Sequence, residues 1–129
     1  MLMPMFIKTL SLALLFVSGS AFAEWSFLFE STSGNMYYID PTTIRKDGNL
    51  RTFWAKTEFK KRLKGGSISG REKLEIDCKK EAVRLLAAAT FADPKLRGEL
   101  IESGDFPNGP FEAIAPATVD YAFMQRVCK

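Results

Sequence analysis

The chain has 129 residues, 47% hydrophobic and 26% charged, with 18 Lys and Arg against 15 Asp and Glu for a formal net charge of +3. That is room for one domain around one modest core, which excludes a multidomain assembly, and 9 Gly, 6 Pro and 11 Phe exclude a disordered, collagen-like or disulfide-dense chain. His is absent altogether, so the commonest general base, metal ligand and sensor of mildly acidic pH is missing, and most hydrolase and metalloenzyme designs are excluded with it.

Residues 1–23 carry one charge, Lys8, an apolar run from Leu10 to Val17 and a small-residue close at Ala21, Phe22 and Ala23. This is the pattern of a secretory signal peptide with an A-x-A cleavage site, which predicts a cut before Glu24 and a single domain over residues 24–129. The run is shorter than the roughly 20 residues that span a bilayer, so no transmembrane span is expected. The leader also lacks the Cys that a lipoprotein signal needs. Export, to the periplasm, the cell surface or the medium, is the expected localisation.

The exported part reads as strands followed by one helix. Residues 25–30 form a short aromatic strand, residues 31–35 supply turn chemistry, and residues 36–39 resume a β-type run. Asp40, Pro41, Thr42 and Thr43 are expected to end that second strand, because Pro has no N–H for a ladder. A turn at Asp47, Gly48 and Asn49 leads into a third strand over residues 50–59, in which Phe53, Ala55, Thr57 and Phe59 form the more apolar row. Residues 60–70, with Lys60, Lys61, Arg62, Lys64 and three Gly, read as an exposed loop. A fourth strand starts near Arg71, with Leu74, Ile76 and Cys78 on one face and Lys73, Glu75 and Asp77 on the other. Residues 81–89 are ambiguous: propensity favours helix, yet no cap or break separates them from the preceding strand. After a turn at Asp93 and Pro94, residues 96–102 return as a strand and residues 103–110 form a loop. Thr118 then caps a helix with Asp120 in its first turn, Arg126 and Lys129 near its end, and Val119, Ala122, Phe123 and Val127 along one stripe.

Two cysteines, Cys78 and Cys128, in a chain bound for an oxidising space predict one disulfide. A reactive or metal-binding thiol pair is the alternative, and neither CxxC spacing nor His supports it. No cofactor, metal or catalytic residue is expected. Gly65 and Gly66 lack the Lys-Ser/Thr of a phosphate loop, and Glu58, Glu75 and Asp77 read as solvated partners of lysines.

The residues Tyr37-Tyr38-Ile39-Asp40-Pro41, then Asp47-Gly48-Asn49 leading to Trp54, then Ile76-Asp77-Cys78 with Lys79, Arg84, Leu85 and Leu86, then Ile114-Ala115-Pro116 and Val127-Cys128-Lys129 resemble the bacterial surface-adhesin protein E family over nearly all of the exported part. Phe111 stands where the family pattern more often has Trp. The resemblance implies an α+β fold: an antiparallel sheet of five to six strands, a C-terminal helix packed on it and one disulfide, with residues 81–89 a strand. It also implies a non-catalytic binding module for host extracellular-matrix or serum proteins. A periplasmic accessory that binds another envelope protein or forms a homodimer is the alternative.

Charge distribution suggests where such a module would bind. Without Lys8 the net charge is +2, too small to argue for nucleic acid or a membrane. From Lys56 to Arg84, however, ten basic residues face five acids. Lys60, Lys61, Arg62, Lys64, Lys79, Lys80 and Arg84 are the candidate patch for an acidic partner. Tyr37, Tyr38, Phe53 and Trp54 are either a binding platform or core.

Overall fold

A computed structural model describes residues 22–129. Residues 1–21, most of the expected leader, lie outside the described residues. Seven strands and one helix follow in chain order: β1 Ser26–Glu30, β2 Met36–Asp47, β3 Leu50–Glu58, β4 Ser69–Asp77, β5 Ala82–Asp93, β6 Arg97–Asp105, β7 Glu112–Ala113 and α1 Val119–Val127. The first six form one antiparallel meander in the order β1-β2-β3-β4-β5-β6. The two-residue β7 pairs Ala113 with Ala82 and Glu112 with Val83, along the part of β5 that β6, which begins pairing at Ala87, does not reach.

Alternation decides which face is core. Arg51, Phe53, Ala55 and Thr57 of β3 lie opposite Ile76, Leu74, Glu72 and Gly70 of β4. The helix packs on this row: the Phe53 and Phe123 rings are 5.3 Å apart. The core comprises Ile39, Phe53, Ala55, Leu74, Ile76, Val83, Phe123, Met124 and Val127. The apolar row read from the sequence is therefore the buried one, and the helical stripe runs through Phe123 and Val127 with Met124 added. Thr118 caps α1 as expected, its hydroxyl accepting from Tyr121 N. At the other end Arg51 Nε donates to the Val127 carbonyl at 3.1 Å, a cation where the helix dipole is negative. Cys78 and Cys128 are joined, with Cα atoms 5.7 Å apart, tying the end of α1 to the end of β4.

One expectation is corrected. The second strand does not end at residues 40–43; β2 continues to Asp47 across a bulge between Asp40 and Arg45. There Thr43 Oγ1 accepts the Trp54 N–H at 3.0 Å and donates to the Asp40 carbonyl, so a side chain satisfies the Trp54 donor across the bulge that holds Pro41. The strand that the resemblance implies for residues 81–89 is present, against their helix propensity: Ala82–Asp93 is a twelve-residue strand paired along its length with β4. The break missing from the sequence is at Asp77, whose Oδ1 accepts from Lys79 N and Lys80 N, and at Glu81, with φ +53°.

Candidate binding surface

The sequence-predicted cations are not all brought together. Lys60, Lys61, Arg62 and Lys64 lie in the exposed β3–β4 loop, while Lys79 and Lys80 lie in the β4–β5 turn at the far end of β4. Nine strand residues separate the two groups, roughly 27 Å at about 3.4 Å per residue. Arg62 is engaged by backbone, donating to the carbonyls of Gly66 in its own loop and of Ala92 on β5. The Lys60 stem lies over Gly34, whose φ of +92° favours glycine and leaves room for the lysine stem, since a Cβ there would sit 2.7 Å from Lys60 Cδ. Arg84 sits on β5, bound to Glu75 at 2.6 Å and stacked 4.5 Å from the Phe111 ring centre.

What the fold does bring together is the sheet face opposite the helix. The register sets Trp54 against Lys73, Lys56 against Arg71, Thr52 against Glu75 and Tyr38 against Lys56, so one side of the sheet interleaves cations and aromatic rings. Lys56 Nζ lies 4.3 Å from the Tyr38 ring centre and 5.7 Å from that of Trp25, with Glu58 at 3.2 Å. The Arg71 guanidinium lies between Trp54 and Phe91, 5.6 and 5.8 Å from their centres. Among the described residues the ion pairs are Lys56–Glu58 and Arg84–Glu75, which leaves Arg71 and Lys73 free beside Trp54. Clefts of about 500 and 490 Å³ open on either side of this Trp, the first reaching Trp25, Asp40 and Arg71, the second Lys73, Arg84 and Asp105.

The signal for this surface was present in the sequence as two polar rows, Leu50-Thr52-Trp54-Lys56 and Lys73-Glu75-Asp77. Their meeting depends on strand register, which no local pattern fixes. The acids considered for chemistry are engaged. Glu58 binds Lys56 and Lys95 N, Glu75 binds Arg84, and Asp77 holds the β4–β5 turn. On the helix side, burial and the neighbouring Asp120 carboxylate push the Glu72 carboxyl above its usual range, and burial with Glu112 does the same for Asp120. No group of three metal-ligating side chains occurs among the described residues, and no described helix is long and apolar enough to cross a membrane.

Comparison with known proteins gives a consistent result. The profile of the family described as surface-adhesin protein E matches residues 25–129. No curated protein matches. Crystal form II of Haemophilus influenzae protein E superposes with a TM-score of 0.64 at 18% identity, covering 88% of this chain and 94% of that one. Protein E from non-typeable Haemophilus influenzae gives 0.59 at 16% identity over 87% and 81%. At these identities the likeness is one of fold.

Proposed function

This chain belongs to the surface-adhesin protein E family, and from that premise we propose that it is an exported, non-catalytic module that binds an acidic segment of a host extracellular-matrix or serum protein. The observation that carries the reading is Trp54 flanked on the helix-free face by Arg71 and Lys73, neither of which is ion-paired among the described residues. Half-buried aromatic rings supply contact area at little entropic cost, and neighbouring cations supply attraction and register for carboxylates. Lys60, Lys61, Arg62 and Lys64 at one end of this face, and Lys79 and Lys80 at the other, steer an acidic partner rather than anchor it.

The test is binding to a panel of matrix and serum proteins at low and high salt. Affinity is expected to weaken steeply with ionic strength and to fall at least about tenfold in Trp54→Ala/Arg71→Ala/Lys73→Ala, the scale of one lost hot spot. The loop variant Lys60→Ala/Lys61→Ala/Arg62→Ala/Lys64→Ala is expected to lose mainly association rate. Full affinity in the first variant overturns the proposed surface.

A second reading, a periplasmic accessory bound to another envelope protein or to a second copy of itself, is favoured by two observations. Both cysteines are in the disulfide, so these 129 residues hold no thiol for a lipid. No described strand covers the outer edge of β6, on which a partner strand could add. Antibody labelling of intact cells supports the first reading; labelling only after permeabilisation, with an envelope partner or dimer recovered by crosslinking, supports the second.

A further inference from the structure

Asp40 is 3% exposed and lies in the cleft beside Trp25 and Trp54. Its Oδ1 accepts from Thr42 N at 3.0 Å and Thr42 Oγ1 at 2.6 Å, and its Oδ2 accepts from the backbone nitrogen of Glu24 at 3.1 Å. No cation pairs with it among the described residues, where the ion pairs are Lys56–Glu58 and Arg84–Glu75. Buried carboxylates are ordinarily paired. The other charged groups at this place are Arg71 and the Glu24 side chain, which line the same cleft, and Lys56 and Lys73, carried by β3 and β4 on the same face. The residues just before Glu24 are open to solvent: Phe22 is 84% exposed and Ala23 is exposed too.

We propose that the Ala23–Glu24 peptide bond is the processing site of this protein and that the α-ammonium released there seats on Asp40, at the position the Glu24 nitrogen already occupies. An endopeptidase that takes small residues at the first and third positions before the cut, here Ala23 and Ala21, supplies the catalysis, and water is the co-reactant. The C–N bond breaks, the Ala23 carbonyl carbon gains the water oxygen and becomes a carboxylate, and the Glu24 nitrogen gains the protons that make it an ammonium. A neutral donor thereby becomes the missing cation without moving. Burial opposes the ionised form of Asp40, but the bonds from Thr42 and Glu24 outweigh it and hold its carboxyl below the usual range. Asp40 is therefore anionic when the ammonium arrives.

A docked ammonium has its pKa raised above the ordinary value of about 7.7–8.0, so its contribution to stability is fully present below that range and is lost as pH rises through the raised value. The test starts with the intact mass of protein purified from the envelope or medium of cells expressing the full chain: a mass beginning at Glu24 is expected, and any other start overturns the proposal. Competitive acetylation of the α-amine across pH 6–11 then gives its pKa. At pH 6.5, well below both values, the mature wild-type amine is expected to react about tenfold more slowly than that of Asp40→Asn, which is one pKa unit. An ordinary pKa in the wild-type protein overturns the docking, and needs no variant to fold. Glu24→Ala keeps the backbone amine and is expected to keep the raised pKa, whereas a chain that retains Ala23, with its amine about 3.8 Å further on, is expected to lose it. The opposite pattern in either also overturns the docking. None of these readouts involves the binding partner, so failure here is separate from failure of the proposed binding function.

Discussion

Glu72 and Asp40, on the two faces of the sheet, have carboxyl pKa values shifted in opposite directions. Glu72 faces the helix side opposite Ala55, half-buried and near Asp120, and its carboxyl is raised from 4.5. A raised carboxyl favours the folded state when protonated, so Glu72 stabilises the fold below pH 4.5 and this contribution is lost as pH rises through its raised pKa. Asp40, lowered from 3.8, stabilises above that value and fails as pH falls through its lowered pKa. Glu72→Gln is therefore expected to raise the thermal midpoint at pH 7 and to flatten its fall between pH 4.5 and neutrality, as followed by circular dichroism. An unchanged profile would mean that water reaches Glu72 freely.

At the scale of the element, the helix is short, nine residues, too short to persist alone. It depends on its Thr118 cap, on Arg51 at its C-terminal carbonyl and on Phe123 against Phe53. Thr118→Ala is expected to cost about 1 kcal/mol in urea unfolding, the usual worth of an N-cap, with little change in denaturant slope. Elements also show how much was legible. The helix, its cap and the buried row of β3 could be read because capping and alternation are local. The continuation of β2 past Pro41 could not, since it depends on Thr43 supplying a bond to Trp54 eleven residues away. The strand identity of residues 81–89 was reached only through family resemblance, because three successive alanines at 87–89 carry no local β signal and the ladder with β4 decides their state.

For the whole molecule, a disulfide with a sequence separation of 50 joins the last residues of the chain to the middle of the sheet. The chain-entropy model assigns such a closure about 4 kcal/mol as an upper figure, a large share of the net stability of a domain this size. Cys78→Ala/Cys128→Ala is expected to lose up to this amount in urea unfolding, and the helix face should open before the meander, detectable as earlier hydrogen exchange in residues 119–127 than in β3 and β4. Simultaneous exchange in both would show that helix and sheet form one cooperative unit.

The sequence by itself determined the elements whose signals are local: the alternating rows of β3 and β4, the capped terminal helix, the even pair of cysteines and the surplus of cations between Lys56 and Arg84. Tertiary structure alone decided which of those cations meet. The loop and turn lysines part to opposite ends of β4, while Lys56, Arg71 and Lys73, spread over 18 residues of sequence, converge around Trp54. Side-chain direction follows from a period of two along one strand, but neighbours across strands follow from register. Register is fixed only when the buried row of every strand meets the same core.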